Sequence, residues 1–174
     1  TVVNNIETAC CVTQIAALSA TQVRGFSETN IGDLADTQMA ALTATQVQAL
    51  SATNASALAD TQVTALTATQ VAAFTTTQLA ALDETDMTEF NETQVAALTT
   101  TQVKALVDTQ LGALVDTQVA ALTAAQLQSI ATTRLAAFDE TQMAALTTTQ
   151  VAALTTAQVK ALSTTNLGAL DATQ

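Results

Sequence analysis

An eight-residue phrase recurs along this chain without a single insertion, and it constrains the fold more than any other feature. Counted from Leu18, nineteen complete copies run to Ala169, and a partial copy occupies residues 170–174. The block before them, residues 10–17 ("CCVTQIAA"), is a degenerate copy. Position 1 is Leu, Phe or Ile, position 5 is mostly Gln, position 6 is apolar and position 8 is mostly Ala. The fold must therefore have a period of eight residues.

This period excludes the common continuous structures. In one unbroken α-helix, eight residues advance the pattern by about 800°, so successive position-1 residues would lie roughly 80° apart and form no apolar stripe. Coiled coils require a repeat of seven or eleven residues. In a β-strand, positions 1 and 6 would point to opposite faces. Each repeat must therefore begin a new element.

The phrase "L-T-x-x-Q-V" contains two signals for a helix start. Thr at position 2 and Gln at position 5 fit a capping box, and the apolar residues at positions 1 and 6 fit a hydrophobic staple in the same frame. In some repeats position 2 cannot cap, and position 3 then carries Asp or Thr. This predicts a cap displaced by one residue in those repeats, at Asp36, Asp60, Asp108, Asp116 and Thr132.

Charge placement supports the same frame. Eleven of the fifteen acidic residues lie at positions 2 or 3, and three of the four basic residues lie at position 7. Acids stabilise the start of a helix and bases its end. The sequence therefore predicts one helix of about one and a half turns per repeat, capped at each junction.

Such a helix is too short to persist alone and must stack on its neighbours. We predict an all-α solenoid of very short capped helices over residues 10–174, with about 20 repeats, preceded by a non-repeat arm at residues 1–9. The four Phe residues all fall in even-numbered repeats, which favours two helices per coil of sixteen residues. The Phe residues are Phe26, Phe74, Phe90 and Phe138.

Thr and Gln at positions 4 and 5 either form inward hydrogen-bonded ladders or lie exposed, and we favour the ladders.

Composition excludes several classes of function. The chain has 4 basic and 15 acidic residues, a net charge of -11 and no His, Tyr or Trp, so it lacks a nucleic-acid-binding surface. It has no 18-residue apolar run, so no membrane insertion is expected. Without His there is no Ser-His or Cys-His pair, and no Gly-rich loop is present. We expect no enzyme activity, no cofactor and no metal. The densest acidic cluster is expected to be a solvated face: Asp83, Glu84, Asp86, Glu89 and Glu92.

Four residues are candidates for covalent chemistry. Cys10 and Cys11 are adjacent at positions 1 and 2 of the degenerate repeat, and either form a free buried pair or link subunits, or the arm to the body. Asn54 ("NAS") and Asn91 ("NET") match the N-glycosylation acceptor pattern, which Thr-rich chains also produce by chance.

The phrase "LTTTQVAAL" resembles the LTTxQ(V/L)xA octapeptide repeats of large secreted bacterial proteins labelled haem-utilisation or adhesion proteins. The resemblance covers residues 10–174 and implies an extracellular, surface-associated protein whose leader has been removed. Haem binding is not implied for this chain, because it has no His or Tyr ligand and its three Met residues occupy the apolar position 6: Met39, Met87 and Met143.

These features predict a structural subunit whose partners are copies of itself. Repeat rods normally end in polar caps, whereas the last complete block, "LSTTNLGA", is as apolar as the others. We therefore expect an extracellular filament or surface fibre that assembles end to end. The alternative is a monomeric adhesin spacer, or a rod whose Thr residues bind ice or polysaccharide.

Overall fold

The computed structural model describes residues 12–170, in which every regular element is a helix. One helix of four to six residues lies in each repeat, which confirms the predicted all-α architecture of very short helices. The twenty helices are α1 Val12–Ala17, α2 Ala20–Arg24, α3 Glu28–Gly32, α4 Asp36–Ala40, α5 Ala44–Ala49, α6 Ala52–Ser56, α7 Asp60–Ala65, α8 Ala68–Ala73, α9 Thr76–Leu79, α10 Glu84–Glu89, α11 Glu92–Ala97, α12 Thr100–Ala105, α13 Asp108–Ala113, α14 Asp116–Ala121, α15 Ala124–Ser129, α16 Thr132–Leu135, α17 Glu140–Ala144, α18 Thr148–Ala153, α19 Thr156–Ala161 and α20 Thr164–Ala169.

The chain turns a corner at positions 1 and 2 of the repeat. Between α5 and α6, Leu50 has φ -58° and ψ 144°, and Ser51 has φ -71° and ψ 161°. Both residues are therefore close to polyproline II geometry, which any L-residue adopts without strain. These corners consequently require neither Gly nor Pro, and the repeat contains neither at these positions.

The predicted capping box is present at most helix starts. In α5, the N–H of Thr43 donates to Oε1 of Gln46 at 2.6 Å, and the N–H of Gln46 donates to Oγ1 of Thr43 at 3.3 Å. Two backbone donors that the first helical turn leaves without partners are thereby satisfied. The sequence frame placed these contacts correctly.

The predicted displacement of the cap by one residue is wrong. Where position 2 is Ala or Val, that residue is still the N-cap and the helix still begins at position 3. Ala35 has no side-chain acceptor, yet its N–H donates to Oε1 of Gln38 at 2.8 Å, so half of the capping box persists. The acid at position 3, such as Asp36, lies in the first helical turn, where the helix dipole favours negative charge. The frame of the repeat therefore fixes where the helix begins, whether or not position 2 can cap.

The solenoid has three helices per coil, so the predicted coil of two helices is wrong. Within each unit of the chain, contacts connect a helix with the third one after it, as in α2 with α5, α5 with α8 and α4 with α7. One coil thus contains three repeats. Phe26 and Phe74, like Phe90 and Phe138, are six repeats apart, which is a whole number of coils whether a coil has two repeats or three. These spacings could not distinguish the two arrangements.

The chain divides into two compact units, Thr1–Glu89 and Phe90–Gln174. In the first unit α7 packs against α4 and α10, and in the second α14 packs against α11 and α17. Each unit, taken by itself, is a stack of three-helix coils. The predicted arm at residues 1–9 lies outside the described residues, and one solenoid across residues 10–174 stays a prediction.

Positions 1 and 6 form the core of each unit, as the staple predicted. From α2 to α17, the position-6 side chain is at most 2% exposed, and the three Met residues are fully buried at 0%. Position-1 residues from Phe26 to Leu146 are at most 6% exposed. Burying one such side chain contributes about 1.5–3 kcal/mol, which short helices need because their own hydrogen bonds cannot hold them.

Within each unit, the position-5 Gln joins a coil to the coil before it. While Oε1 of Gln70 accepts from the N–H of Thr67 at 2.7 Å, its Nε2 donates to the carbonyls of Met39 at 2.7 Å and Leu42 at 2.8 Å. These acceptors lie at positions 6 and 1 of the earlier coil. Equivalent amide bonds to an earlier coil are made by Gln46, Gln62, Gln78, Gln118, Gln126, Gln142, Gln150 and Gln158.

The inward ladder is therefore confirmed for Gln and wrong for Thr. Gln70 is 2% exposed, whereas Thr69 beside it is exposed. Position 4 points away from the coil below because it is one residue, or about 100°, from position 5 on the helix.

We expect Gln70→Ala to lower the free energy of unfolding by at least about 2 kcal/mol, because a buried N–H and two carbonyls lose their partner. Thr69→Ala is the matched control and should change stability by less than about 0.5 kcal/mol. Urea unfolding followed by far-UV circular dichroism measures both values. Equal effects of the two substitutions would contradict the assigned role of Gln.

Candidate functional site

The last described coil exposes apolar side chains at a position that is buried in every earlier coil. Val159 and Leu167 occupy position 6 in α19 and α20, and they are 44% and 47% exposed. Val119 and Leu127, at the same position further back, are 0% exposed. We call the surface formed by Val159, Leu167 and the half-buried Val151 the terminal face.

Near the start of the described residues, a position-5 side chain is exposed that later coils bury. Gln22 in α2 is exposed, whereas Gln46, one coil later at the same position, is 2% exposed. We call the surface that carries Gln22 the leading face. Within each unit, the position-5 amide of one coil donates to a backbone carbonyl of the coil before it. Gln46 donates to Leu18, Asn54 to Phe26 and Asn166 to Phe138.

The helices at the two ends of the described chain also differ in net charge. Helices α18 to α20 carry Lys160 as their one charged residue, which gives a net charge of +1. The segment from α2 to α4 carries Arg24 with three acids, Glu28, Asp33 and Asp36, which gives 1 − 3 = −2. These two regions therefore carry opposite net charge, although the whole chain has a net charge of -11.

Exposed threonines form rows along each unit. Position 4 is Thr in seventeen of the nineteen complete repeats, and it is exposed in all seventeen. Because each coil contains three repeats, a helix stacks on the third helix before it, and the position-4 residues of these stacked helices form a row. In the second unit this gives what we call the threonine row: Thr93, Thr117, Thr141 and Thr165. The capping hydroxyls come from position 2, so the caps do not consume this row.

Two departures from Gln at position 5 bring charge into the joints between coils. Arg134 donates from Nη1 to the carbonyls of Lys104, at 3.4 Å, and Leu106, and from Nε to Asp108 at 2.9 Å. It thus replaces the amide with a longer donor. The carboxylate of Asp108 is 81% exposed, so this ion pair itself contributes less than about 1 kcal/mol.

The second departure is Asp86, within the acidic cluster that we expected to be solvated. Asp83, Glu84 and Glu92 are exposed and Glu89 is half-buried, but Asp86 is 5% exposed, which makes that expectation wrong for Asp86. Its position in the repeat, where a buried amide normally lies, was the signal in the sequence. Among the described residues, no group of three or more acidic or Cys side chains could hold a metal ion.

Of the residues predicted as covalent sites, the structure describes Asn54 and Asn91. Cys10 and Cys11 lie outside the described residues, so their cross-link stays a prediction. Asn54 is buried, and its Nδ2, the atom that a glycan would modify, donates to the Phe26 carbonyl at 3.0 Å. This geometry argues against glycosylation of Asn54 in the folded chain. Asn91 is an exposed N-cap whose Oδ1 accepts from the N–H of Gln94, and its glycosylation also stays a prediction.

No helix within residues 12–170 is long and apolar enough to cross a bilayer. Comparisons of the chain with protein-family models, with curated proteins and with solved structures found no match.

Proposed function

We propose that this chain is a structural subunit that associates end to end with copies of itself to form an extracellular filament or surface fibre. One observation carries the proposal: within each unit the amide of one coil bonds to carbonyls of the coil before it, as Gln70 does to Met39 and Leu42, so the two sides of a coil are complementary. In the proposed joint, the leading face of a second copy covers Val159 and Leu167 of the terminal face, which are nearly half exposed in this chain, and the Gln22 amide makes a bond like that of Gln46 to the coil before it.

This contact would not close on itself. The leading and terminal faces are different surfaces, so each added copy leaves one of each free, and a heterologous contact of this type propagates into a filament. An extracellular setting is supported by the resemblance of the repeat to those of secreted surface proteins.

A single joint of this kind is weak. Covering two half-exposed apolar side chains contributes roughly 1.5–3 kcal/mol, and each new amide bond adds about 0.5–1.5 kcal/mol. Association costs about 4 kcal/mol or more in lost translational and rotational freedom. We therefore expect assembly to depend steeply on protein concentration.

We expect the 174-residue chain to form filaments in electron micrographs as its concentration rises, and Val159→Asp to prevent this by placing a charge in the joint. Val115→Asp is the matched control, because Val115 is 45% exposed but lies at a corner away from the terminal face. Both variants should give the circular dichroism spectrum of the wild type. Reductant throughout removes any contribution of Cys10 and Cys11.

A wild-type chain that sediments as monomer up to its solubility limit would overturn end-to-end assembly. Filaments that Val159→Asp and Val115→Asp form equally well would exclude the terminal face as the joint.

A second candidate is a rod that binds a regular polar surface such as ice or polysaccharide. It is favoured by the threonine row, in which each hydroxyl follows the last by one coil. Stacked helices are about 8–10 Å apart, so the row offers evenly spaced groups to a repetitive ligand.

For this candidate, we expect the monomeric Val159→Asp variant to show thermal hysteresis or to bind an insoluble polysaccharide. Adding Thr117→Ala with Thr141→Ala should abolish binding, because both substitutions interrupt one row. The control pair, Thr101→Ala with Thr109→Ala, removes two exposed threonines from α12 and α13, two helices that do not stack on each other. Absence of binding, or equal losses in both pairs, would reject the threonine row as a binding surface.

A further inference from the structure

Asp86 is a carboxyl group at a position that the repeat reserves for a buried amide. Gln occupies position 5 in fourteen of the nineteen complete repeats and Asn in three, and the remaining two are Asp86 and Arg134. Arg134 still donates to the coil before it. Asp86 is 5% exposed, and its carboxylate form has no proton to donate.

Asn166 shows what a side chain of the same size does at this position. Its Oδ1 accepts from the N–H of Ser163 at 3.1 Å, and its Nδ2 donates to the carbonyl of Phe138, at position 1 of the earlier coil, at 2.9 Å. Asn54 makes the same bond with the carbonyl of Phe26 at 3.0 Å. A short amide therefore reaches the position-1 carbonyl of the coil before it.

Asp86 reproduces the first half of this arrangement. Its Oδ2 accepts from the N–H of Asp83 at 3.0 Å, and the N–H of Asp86 donates to Oδ1 of Asp83 at 2.9 Å. The second carboxyl oxygen of Asp86 is the chemical counterpart of the amide nitrogen of Asn166. By the register of the repeat, the equivalent position-1 carbonyl for Asp86 is that of Leu58.

The charged groups around Asp86 are all acidic. Its own helix and corner carry Asp83, Glu84 and Glu89, and α7, which packs against α10, carries Asp60. The segment from α6 to Leu58 carries no titratable residue, and neither α7 nor α10 carries a base. No neighbouring charge in these elements therefore stabilises the carboxylate.

Burial raises the pKa of the Asp86 carboxyl above its ordinary value, and this is the largest influence on it. The hydrogen bond from the Asp83 backbone lowers the pKa and opposes burial, while the charges of Asp83 and Asp60 raise it further. The protonated form is thus favoured in the folded chain at a higher pH than in the unfolded chain.

We propose that Asp86 is a pH-sensitive joint within the first unit, which tightens when the carboxyl is protonated and loosens when it is charged. The protonated carboxyl donates to the Leu58 carbonyl and completes the contact that Asn166 makes in the second unit. The carboxylate places an acceptor against an acceptor, and α10 then packs less tightly on α7.

The direction of the pH dependence follows from the raised pKa. The stabilising contribution of Asp86 is fully present below the ordinary aspartate pKa of about 3.9, and it is lost as the pH rises through the raised pKa of the folded chain. Each pH unit within that window changes the unfolding equilibrium by up to about tenfold.

The test is Asp86→Asn, which supplies a permanent donor of the same size. At about pH 7 we expect this variant to have an unfolding equilibrium constant about three- to tenfold below that of the wild type, the equivalent of one buried hydrogen bond. At about pH 4 the difference should shrink, because the wild-type carboxyl then also donates. Urea unfolding followed by circular dichroism measures the ratio at each pH.

The control is Asp36→Asn, which removes one charge from an exposed residue of the same unit. Its effect should lack the stabilisation at neutral pH that Asp86→Asn shows. Amide hydrogen exchange, corrected for intrinsic rates, should place the change in α7 and α10. The proposal would be overturned if the ratio of the unfolding equilibrium constants of Asp86→Asn and the wild type were the same at both pH values. It would also be overturned if Asp36→Asn gave the same ratio as Asp86→Asn.

Discussion

The structure depends on the need to satisfy buried backbone groups at every corner. A chain that starts a new helix in every repeat leaves an N–H at each helix start and a carbonyl at each corner, and burying either without a partner costs about 1–3 kcal/mol. The position-5 Gln meets both needs, because its carboxamide has an acceptor and a donor at opposite sides. Gln70 joins the N–H of Thr67 to the carbonyl of Leu42 in this way.

The amide bond between coils explains how a repeat with so few residue types specifies one register of each coil against the coil before it. An apolar core alone would tolerate coils that slide past one another, whereas an amide must meet its carbonyl. The exceptions follow the same geometry with different chemistry: Asn166 reaches one carbonyl, Arg134 reaches two and adds an ion pair, and Asp86 requires a proton before it can donate. The direction of the amide bond also makes the leading and terminal faces different, which is the basis of the proposed filament.

Much of the local structure could be predicted from the sequence, because the capping box and the staple are short-range contacts written within one repeat. The number of helices per coil could not, since it depends on how far the chain rotates at each corner, and the length of the repeat does not encode that angle. The burial of Asp86 was missed for a related reason. It was interpreted with its acidic neighbours along the chain, although its place at position 5 set its environment.

The coil of three repeats can be tested directly with pairs of spin labels in a background of Cys10→Ser and Cys11→Ser. Ala96, Gly112 and Ala120 are exposed at position 7 in the second unit, and a side chain at Gly112 would meet no atom within 4 Å. Labels at 96 and 120, one coil apart on stacked helices about 8–10 Å from each other, should show stronger dipolar coupling than labels at 96 and 112. Stronger coupling for the pair at 96 and 112 would indicate a coil of two repeats and contradict the account.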